Sequence, residues 1–362
     1  MKKSDKIYIA GHRGLVGSAI VRCLQKAGYE NLLLRSRSEL DLIEKGAVDD
    51  FFATQKPDYV FLAAAKVGGI HANDTRPADF IYDNLMIQNN LLRAASEHKV
   101  RKLLFLGSSC IYPRMAPQPM REEYLLSGPL EPTNSAYAVA KIAGIEMCHA
   151  FNRQYQTNFV PVMPTNLYGP FDNYDLLSSH AMPALIRKFH LAKLAAAGDD
   201  AALAADAQTY GPIPNDFYVN LMRIAAYNGH RLSGGGAADK RLSVSGDASA
   251  TVELWGTGKP MREFLFVDDL AEALLFVMHN YQSTKLLNIG TGIDQTIREL
   301  AEIVRRVVGY SGETAFDVSK PDGMPKKLLD VSRLTGLGWK PKFTLEEGIQ
   351  AAYESYLKGV NQ

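Results

Sequence analysis

The chain has 362 residues, 46% hydrophobic and 22% charged, enough apolar material for one large domain or two smaller ones. Its 40 Lys and Arg against 39 Asp and Glu leave almost no net charge, so no global field draws in nucleic acid or a membrane surface. Cys23, Cys110 and Cys148 are odd in number and far apart. Without a CxxC pair or a Cys/His cluster, they suggest neither a disulfide framework nor a metal site.

From the start, Met-Lys-Lys-Ser-Asp leads into Lys6–Ala10, an apolar run far too short for a signal peptide. No stretch is long and apolar enough for a membrane span, and a reducing cytoplasm is the expected compartment. Through the first half, short apolar runs alternate with helical patterns, which predicts βαβ units and a doubly wound, Rossmann-type parallel sheet. Strands are predicted at Lys6–Ala10, Leu32–Arg35, Tyr59–Ala64, Lys102–Gly107 and Phe159–Met163. The runs are apolar without alternation, as strands covered on both faces should be. Helices are predicted at Leu15–Ala27, Gly46–Gln55, Asp79–Lys99 and Tyr137–Tyr155. After Pro164 the rhythm is lost until Val267–Val277 and Leu286–Gly290, which predicts a second domain. The expected division is 1–170 with 260–290 for a dinucleotide-binding domain, and 171–259 with 291–362 for a smaller, mainly C-terminal substrate-binding domain. Residues 193–251, alanine-rich at first and then Ser233-Gly-Gly-Gly-Ala-Ala-Asp, read as an insertion, partly helical and partly mobile, and a candidate lid or surface decoration.

The first strand runs into Gly11-His12-Arg13-Gly14-Leu15-Val16-Gly17 and then a helix, the context a dinucleotide fingerprint requires. Glycines admit the pyrophosphate to the backbone, and the helix N-terminus offers amide donors. The end of the second strand reads Leu34-Arg35-Ser36-Arg37, without the acid that would hold a ribose 2′-hydroxyl. Arg13, Arg35 and Arg37 instead suit a 2′-phosphate, so NADP(H) is favoured, with the choice among the arginines open.

Tyr137 and Lys141, four apart on a helix, share one face. A neighbouring ammonium should lower the tyrosine pKa toward neutrality and suit it to proton exchange with a carbonyl oxygen. Ser108, Ser109 and Cys110 follow a strand's carboxyl end, where ligands of α/β sheets bind, and Ser108 can reach the same oxygen.

These stretches, with Ala63-Ala-Ala-Lys-Val-Gly-Gly-Ile70, Gly107-Ser-Ser-Cys-Ile-Tyr-Pro113, Glu131-Pro-Thr-Asn134, Met163-Pro-Thr-Asn-Leu-Tyr-Gly-Pro170, Pro260-Met-Arg-Glu-Phe264 and Ser319-Lys-Pro-Asp-Gly323, carry a resemblance over almost the whole chain. The sequence resembles the extended short-chain dehydrogenase/reductases and, within them, the GDP-L-fucose synthase family. The resemblance implies 3,5-epimerisation and NADPH-dependent 4-reduction of GDP-4-keto-6-deoxy-D-mannose. It implies Ser108, Tyr137 and Lys141 for reduction, and Cys110 and His180 as base and acid for epimerisation. Around the cofactor it adds Asp41, Leu42, Leu106, Gly107, Ser109, Pro164, Thr165, Asn166, Leu167 and His180 to the glycine loop and Arg37, with Ser108 and Lys141 shared. For the GDP-sugar it implies Lys188, Trp255, Arg262 and Asp322, although Trp255 reads equally well as core. Related dehydratases carry an Asp-Glu pair where this chain has Ser109 and Cys110, which argues against dehydration. A homodimer through helices Asp79–Lys99 and Tyr137–Tyr155 is implied. The rival readings are the same chemistry on another GDP-4-keto sugar, a deoxyhexose or a heptose, and an NADP-sensing scaffold of the same fold.

Overall fold

The computed structural model describes residues 1–232, 250–320 and 322–360. Its strands are β1 (Ile7–Ala10), β2 (Leu32–Leu33), β3 (Tyr59–Leu62), β4 (Lys102–Leu106), β5 (Phe159–Pro164), β6 (Asn166–Tyr168), β7 (Thr251–Trp255), β8 (Met261–Phe266), β9 (Leu287–Ile289), β10 (Asp294–Thr296), β11 (Glu313–Asp317) and β12 (Lys326–Lys327). Its helices are α1 (Leu15–Lys26), α2 (Lys45–Gln55), α3 (Ile70–Thr75), α4 (Pro77–Glu97), α5 (Ser135–Tyr155), α6 (Ala181–Ala196), α7 (Asp200–Tyr210), α8 (Asn215–Tyr227), α9 (Val267–Asn280), α10 (Ile297–Val308), α11 (Ser332–Gly336) and α12 (Leu345–Val360). The chain forms two units, the first comprising Met1–Phe171, Glu263–Asp294 and Lys327–Thr344, the second Asp172–Arg262, Gln295–Lys326 and Leu345–Gln362.

The first unit is built on a six-stranded sheet in the order β2-β1-β3-β4-β5-β9, parallel at every pairing. Side chains alternate across it, which explains why its strands read as unbroken apolar runs. Tyr8, Val60, Leu62, Leu103 and Phe105 face a core with α2, α4 and α5. Ile7, Ile9, Phe61, Leu104 and Val162 face a second core with α1 and α9. With both faces covered, both sides of a strand are apolar except where hydrogen bonds satisfy a buried polar group. The order reverses at β1, which sends β2 one way and β3 the other, so the crevice outside the carboxyl ends of β1 and β3 is where such a sheet takes a ligand. Parallel β6 and β8 lie beside this sheet.

Two expectations change. Residues 327–344 belong to the first unit, not the second. Leu329 donates its N–H to Glu263 (3.0 Å) and Asp330 to the Met120 carbonyl (2.8 Å). Leu334 and Trp339 then fill the core beside Leu287 and Ile289. The stretch after Lys193, expected to be partly helical and partly mobile, is largely helical as far as Leu232. α6 runs on to Ala196, Asp199 caps α7 by accepting from the Ala202 N–H (3.0 Å), and α8 buries Phe217, Leu221 and Ile224. The Ser233-Gly-Gly-Gly segment and the rest of the lid expectation, 233–249, lie outside the described residues. In the second unit these helices accompany α10, α12 and the parallel pair β7 and β11. Among the described residues, no helix is long and apolar enough to cross a membrane.

Lys102, at the start of β4, is buried and donates to the carbonyls of Val277 (2.7 Å), Met278 (3.1 Å) and Tyr281 (2.7 Å), closing the C-terminus of α9. Burial pushes its ammonium down to about 8. Lys102→Met keeps the bulk of the stem but removes the ammonium from three carbonyls, of which that of Val277 keeps the Tyr281 N–H. It should cost about 1–3 kcal/mol, read as a lowered urea midpoint at unchanged slope.

Candidate active site

Between β1 and α1 the chain turns on three glycines, two of which have no room for a side chain. Gly11 has φ +84°, and a Cβ there would fall 2.8 Å from the Ala64 nitrogen. A Cβ on Gly17 would fall 2.0 Å from the Gly11 carbonyl oxygen. The first turn of α1 therefore lies directly on the loop, with Gly14 as its N-cap and no side chain satisfying the leading amides. Such a bare N-terminus suits an anion. The buried His12 Nδ1 has no protein partner, so this cradle is built with polar capacity to spare. Both observations fit a dinucleotide pyrophosphate.

Beyond β2 an acid does occur, later than the fingerprint position. Glu39 accepts the Ser36 N–H (2.7 Å) and hydroxyl (2.6 Å), and these bonds, with Arg35 and Arg13 nearby, hold its carboxyl below the ordinary range. The Arg35 guanidinium donates to the Leu34 carbonyl (2.8 Å) and sits 5.8 Å from the Phe51 ring. Arg37 is exposed and paired with Asp41 (3.3 Å), while Leu42 is buried and offers its carbonyl to Asn90 (3.0 Å).

At the other carboxyl ends, Leu106 closes β4 and its carbonyl accepts from Lys141 Nζ (2.9 Å). Gly107 follows, packed against the end of the Met163 side chain. Extended Ser108 then caps a short turn, Ser109–Ile111, accepting from the Cys110 N–H (3.4 Å). Its side chain also hydrogen-bonds Tyr137 and the Cys110 thiol. One turn below Tyr137 on α5, Lys141 Nζ lies 5.7 Å from the Tyr137 ring, which Phe80 meets edge-on at 6.3 Å. Ser108, Cys110, Tyr137 and Lys141 are thus brought to one place. After β5, Thr165 donates to the Ile289 carbonyl (2.9 Å) and Asn166 to that of Glu263 (2.7 Å), holding Pro164–Leu167 at the same end of the sheet.

The expected lowering of the tyrosine pKa is not found. Burial pushes the Tyr137 hydroxyl well up, the nearby Cys110 adds to this, and only the Ser108 hydrogen bond opposes it. Lys141 itself is pushed down to about 8 by burial. The ring and ammonium share a low-dielectric site in which both charged forms are penalised. The Cys110 thiol is raised by burial, with Lys327, the Ser108 hydrogen bond and Lys141 pulling it back. Lys327 is a cation near the thiol that sequence reasoning missed, because no motif joins it to Cys110.

The remaining expected residues lie in the second unit. His180 is the exposed N-cap residue of α6. Lys188, in the same helix, sits 5.1 Å from the Phe217 ring of α8, lowered by burial and raised in part by Asp216. Trp255 is 63% exposed with Lys320 Nζ 5.4 Å from its ring, so it is no core residue. Arg262 donates to the carbonyls of Met261 (2.8 Å) and Met324 (2.6 Å), with Asp322 as its nearby counter-charge. Asp322 accepts from the Thr257 N–H (2.8 Å) and hydroxyl (2.6 Å). Arg262 and Asp322 are neighbours, whereas Lys188 is held against α8.

The sequence profile of the NAD dependent epimerase/dehydratase family matches residues 7–204 and 224–290. The chain is 50% identical over 362 residues to putative GDP-L-fucose synthase 2 of Arabidopsis thaliana, covering 100% of this chain and 94% of that one. It is 47% identical over 363 residues to the GDP-L-fucose synthase of Escherichia coli K12, covering 98% and 97%. Among solved structures it resembles a GDP-D-glycero-L-gluco-heptose synthase from Campylobacter jejuni, crystallised in the presence of NADPH. There the TM-score is 0.81 and the identity 42%, over 99% of both chains.

Gly17→Ala should break the loop, since its methyl meets backbone and cannot be absorbed by a rotamer change. Dinucleotide affinity should fall at least ~100-fold in fluorescence titration. Retained affinity would show that this turn does not hold the cofactor.

Proposed function

Since the chain belongs to the NAD dependent epimerase/dehydratase family, we propose that it converts GDP-4-keto-6-deoxy-D-mannose to GDP-L-fucose by 3,5-epimerisation and NADPH-dependent 4-reduction. The observation that carries this reading is the gathering of Ser108, Cys110, Tyr137 and Lys141 at the carboxyl end of β4. NADPH, when bound, supplies the hydride for C4. In this reading the first unit binds NADP(H) and the second the sugar nucleotide. The glycine loop and α1 N-terminus take the pyrophosphate, and Arg13, Arg35 and Arg37 supply positive charge for the 2′-phosphate. NADPH should accordingly exceed NADH in kcat/KM.

For epimerisation, the Cys110 thiolate removes the protons at C3 and C5, which the C4 ketone acidifies, and His180 returns a proton. For reduction, Tyr137 gives its proton to the C4 oxygen while Ser108 hydrogen-bonds that oxygen. The raised Tyr137 pKa suits this direction, because the group must begin protonated. Lys141 stabilises the phenolate that results. Lys188, Trp255, Arg262 and Asp322 are assigned to the GDP-sugar, the cations to its diphosphate. NMR of the product formed from GDP-4-keto-6-deoxy-D-mannose and NADPH tests the whole reading. A structural neighbour that acts as a GDP-heptose synthase at 42% identity favours one second reading, the same chemistry on a GDP-4-keto heptose. A higher kcat/KM on that substrate would select it.

The free thiol required of Cys110 is consistent with a reducing cytoplasm, which cell fractionation tests. We also propose a homodimer through α4 and α5, which expose Tyr82, Val139 and Tyr155. Light scattering should give twice the chain mass at micromolar concentration, and a monomer there would refute it.

Tyr137→Phe should lower reduction by about 10²–10⁴-fold while solvent deuterium still enters C3 and C5, observed by NMR. Loss of both in folded protein would overturn the division of roles. The two half-reactions should also respond oppositely to pH. Lys141 is charged below its lowered pKa of about 8 and neutral above it, so reduction should decline as pH rises through 8. Cys110 has a raised pKa, so its thiolate fraction and the exchange rate should climb over the same interval.

A further inference from the structure

α6 buries residues on most of its circumference, among them Met182, Leu185, Ile186, Phe189 and Leu191. A helix apolar nearly all round gains little from one rotational setting over another. One directional interaction breaks this degeneracy. Arg187 is fully buried, and its guanidinium donates to Asp206 Oδ1 (2.7 Å) and to the carbonyls of Tyr174 (3.1 Å), Tyr210 (2.9 Å) and Gly211 (2.5 Å). The second Asp206 oxygen accepts from the Tyr356 hydroxyl. The fork is rigid, so these partners fix a direction as well as a contact. Asp206, Tyr210 and Gly211 all come from α7 and its end. Lys188 is the next residue, about 100° further round the helix, and its ammonium lies 5.1 Å from the Phe217 ring of α8.

We infer that Asp206 is a positioning residue: by fixing Arg187 it sets the rotation of α6 and so aims Lys188 at the diphosphate of the GDP-sugar. The inference rests on the proposed function in taking Lys188 as a ligand of that diphosphate. It gives the stretch between α6 and Leu232 a part in substrate binding other than that of a lid.

The test uses GDP itself as probe, by calorimetry on the full chain, so that it does not depend on turnover. Asp206→Asn leaves a buried guanidinium without its counter-charge and risks misfolding. The companion variant Arg187→Met with Asp206→Leu removes both charges, a replacement buried pairs often tolerate. In whichever variant keeps the native near-UV spectrum, GDP affinity should fall ~10-fold while NADPH affinity stays within about twofold. Lys188→Met alone should cause a similar fall, and combined with the apolar pair it should add less than about twofold, because both act through one contact. A merely structural role would not produce that non-additivity. Unchanged GDP affinity in a folded variant, or losses that multiply, would overturn the inference. If the wild-type chain binds GDP with these couplings but leaves GDP-4-keto-6-deoxy-D-mannose untouched, the proposed reaction fails and this inference stands. If the wild-type chain does not bind GDP, both fail.

Discussion

The carboxylate of Glu263 is fully buried and makes no ion pair among the described contacts, a position that costs several kcal/mol unless hydrogen bonds offset it. Four donors do so. The Thr291 and Gly292 amides reach one oxygen at 2.6 and 2.7 Å, with the Thr291 hydroxyl at 3.3 Å, and the Leu329 amide reaches the other at 3.0 Å. Burial still leaves the group easier to protonate than a free glutamate. The Glu263 carbonyl meanwhile receives Asn166 and Thr165. One residue therefore draws together the chain after β5, the turn after β9 and the returning segment 327–331. The returning segment also brings Lys327 close enough to act on the Cys110 thiol.

A second polar knot stands beside it. Asn288 donates to the Met120 and Asp330 carbonyls, receives the Tyr112 hydroxyl at 2.6 Å, and gives its own N–H to buried Glu122. Tyr112 lies two residues beyond Cys110, so the turn carrying the thiol is anchored to the sheet on its far side. Both knots are satisfied by backbone from remote parts of the chain. Each is costly to disturb, because removing one partner leaves several buried groups unpaired.

What the sequence made legible follows from the range of each interaction. Elements of the first half occur within a few residues of their predicted limits, since apolar runs and 3.6-residue periods are local signals. The glycine loop was legible for the same reason: only glycine fits at Gly11 and Gly17. The grouping of Ser108, Cys110, Tyr137 and Lys141 followed from strand-end placement and helical spacing. Burial was not legible, and burial decides the sign for Tyr137, where it outweighs the Ser108 hydrogen bond. Long-range partners were not legible either. Nothing local ties Leu329 to Glu263 or Asp206 to Arg187, so 327–344 was assigned to the wrong unit and α7 was read as part of an insertion. Its alanine-rich sequence has little amphipathic pattern, and only the partner of Asp206 reveals its place.

β4 is fastened to helices at both ends by buried ammonium groups. Lys102 at its start grips the last carbonyls of α9, and Lys141 of α5 grips the carbonyl of Leu106 at its finish. Ser108 lies just past the second fastening, and Tyr137 lies one turn from the lysine that makes it. One hydrogen bond therefore ties α5 to the strand end that carries the Ser108 oxygen. Proton transfer is sensitive to displacements well under an ångström. A strand fastened at both ends in this way gives the two hydroxyls a common support, so their spacing is set by the sheet and α5 and not by the loops.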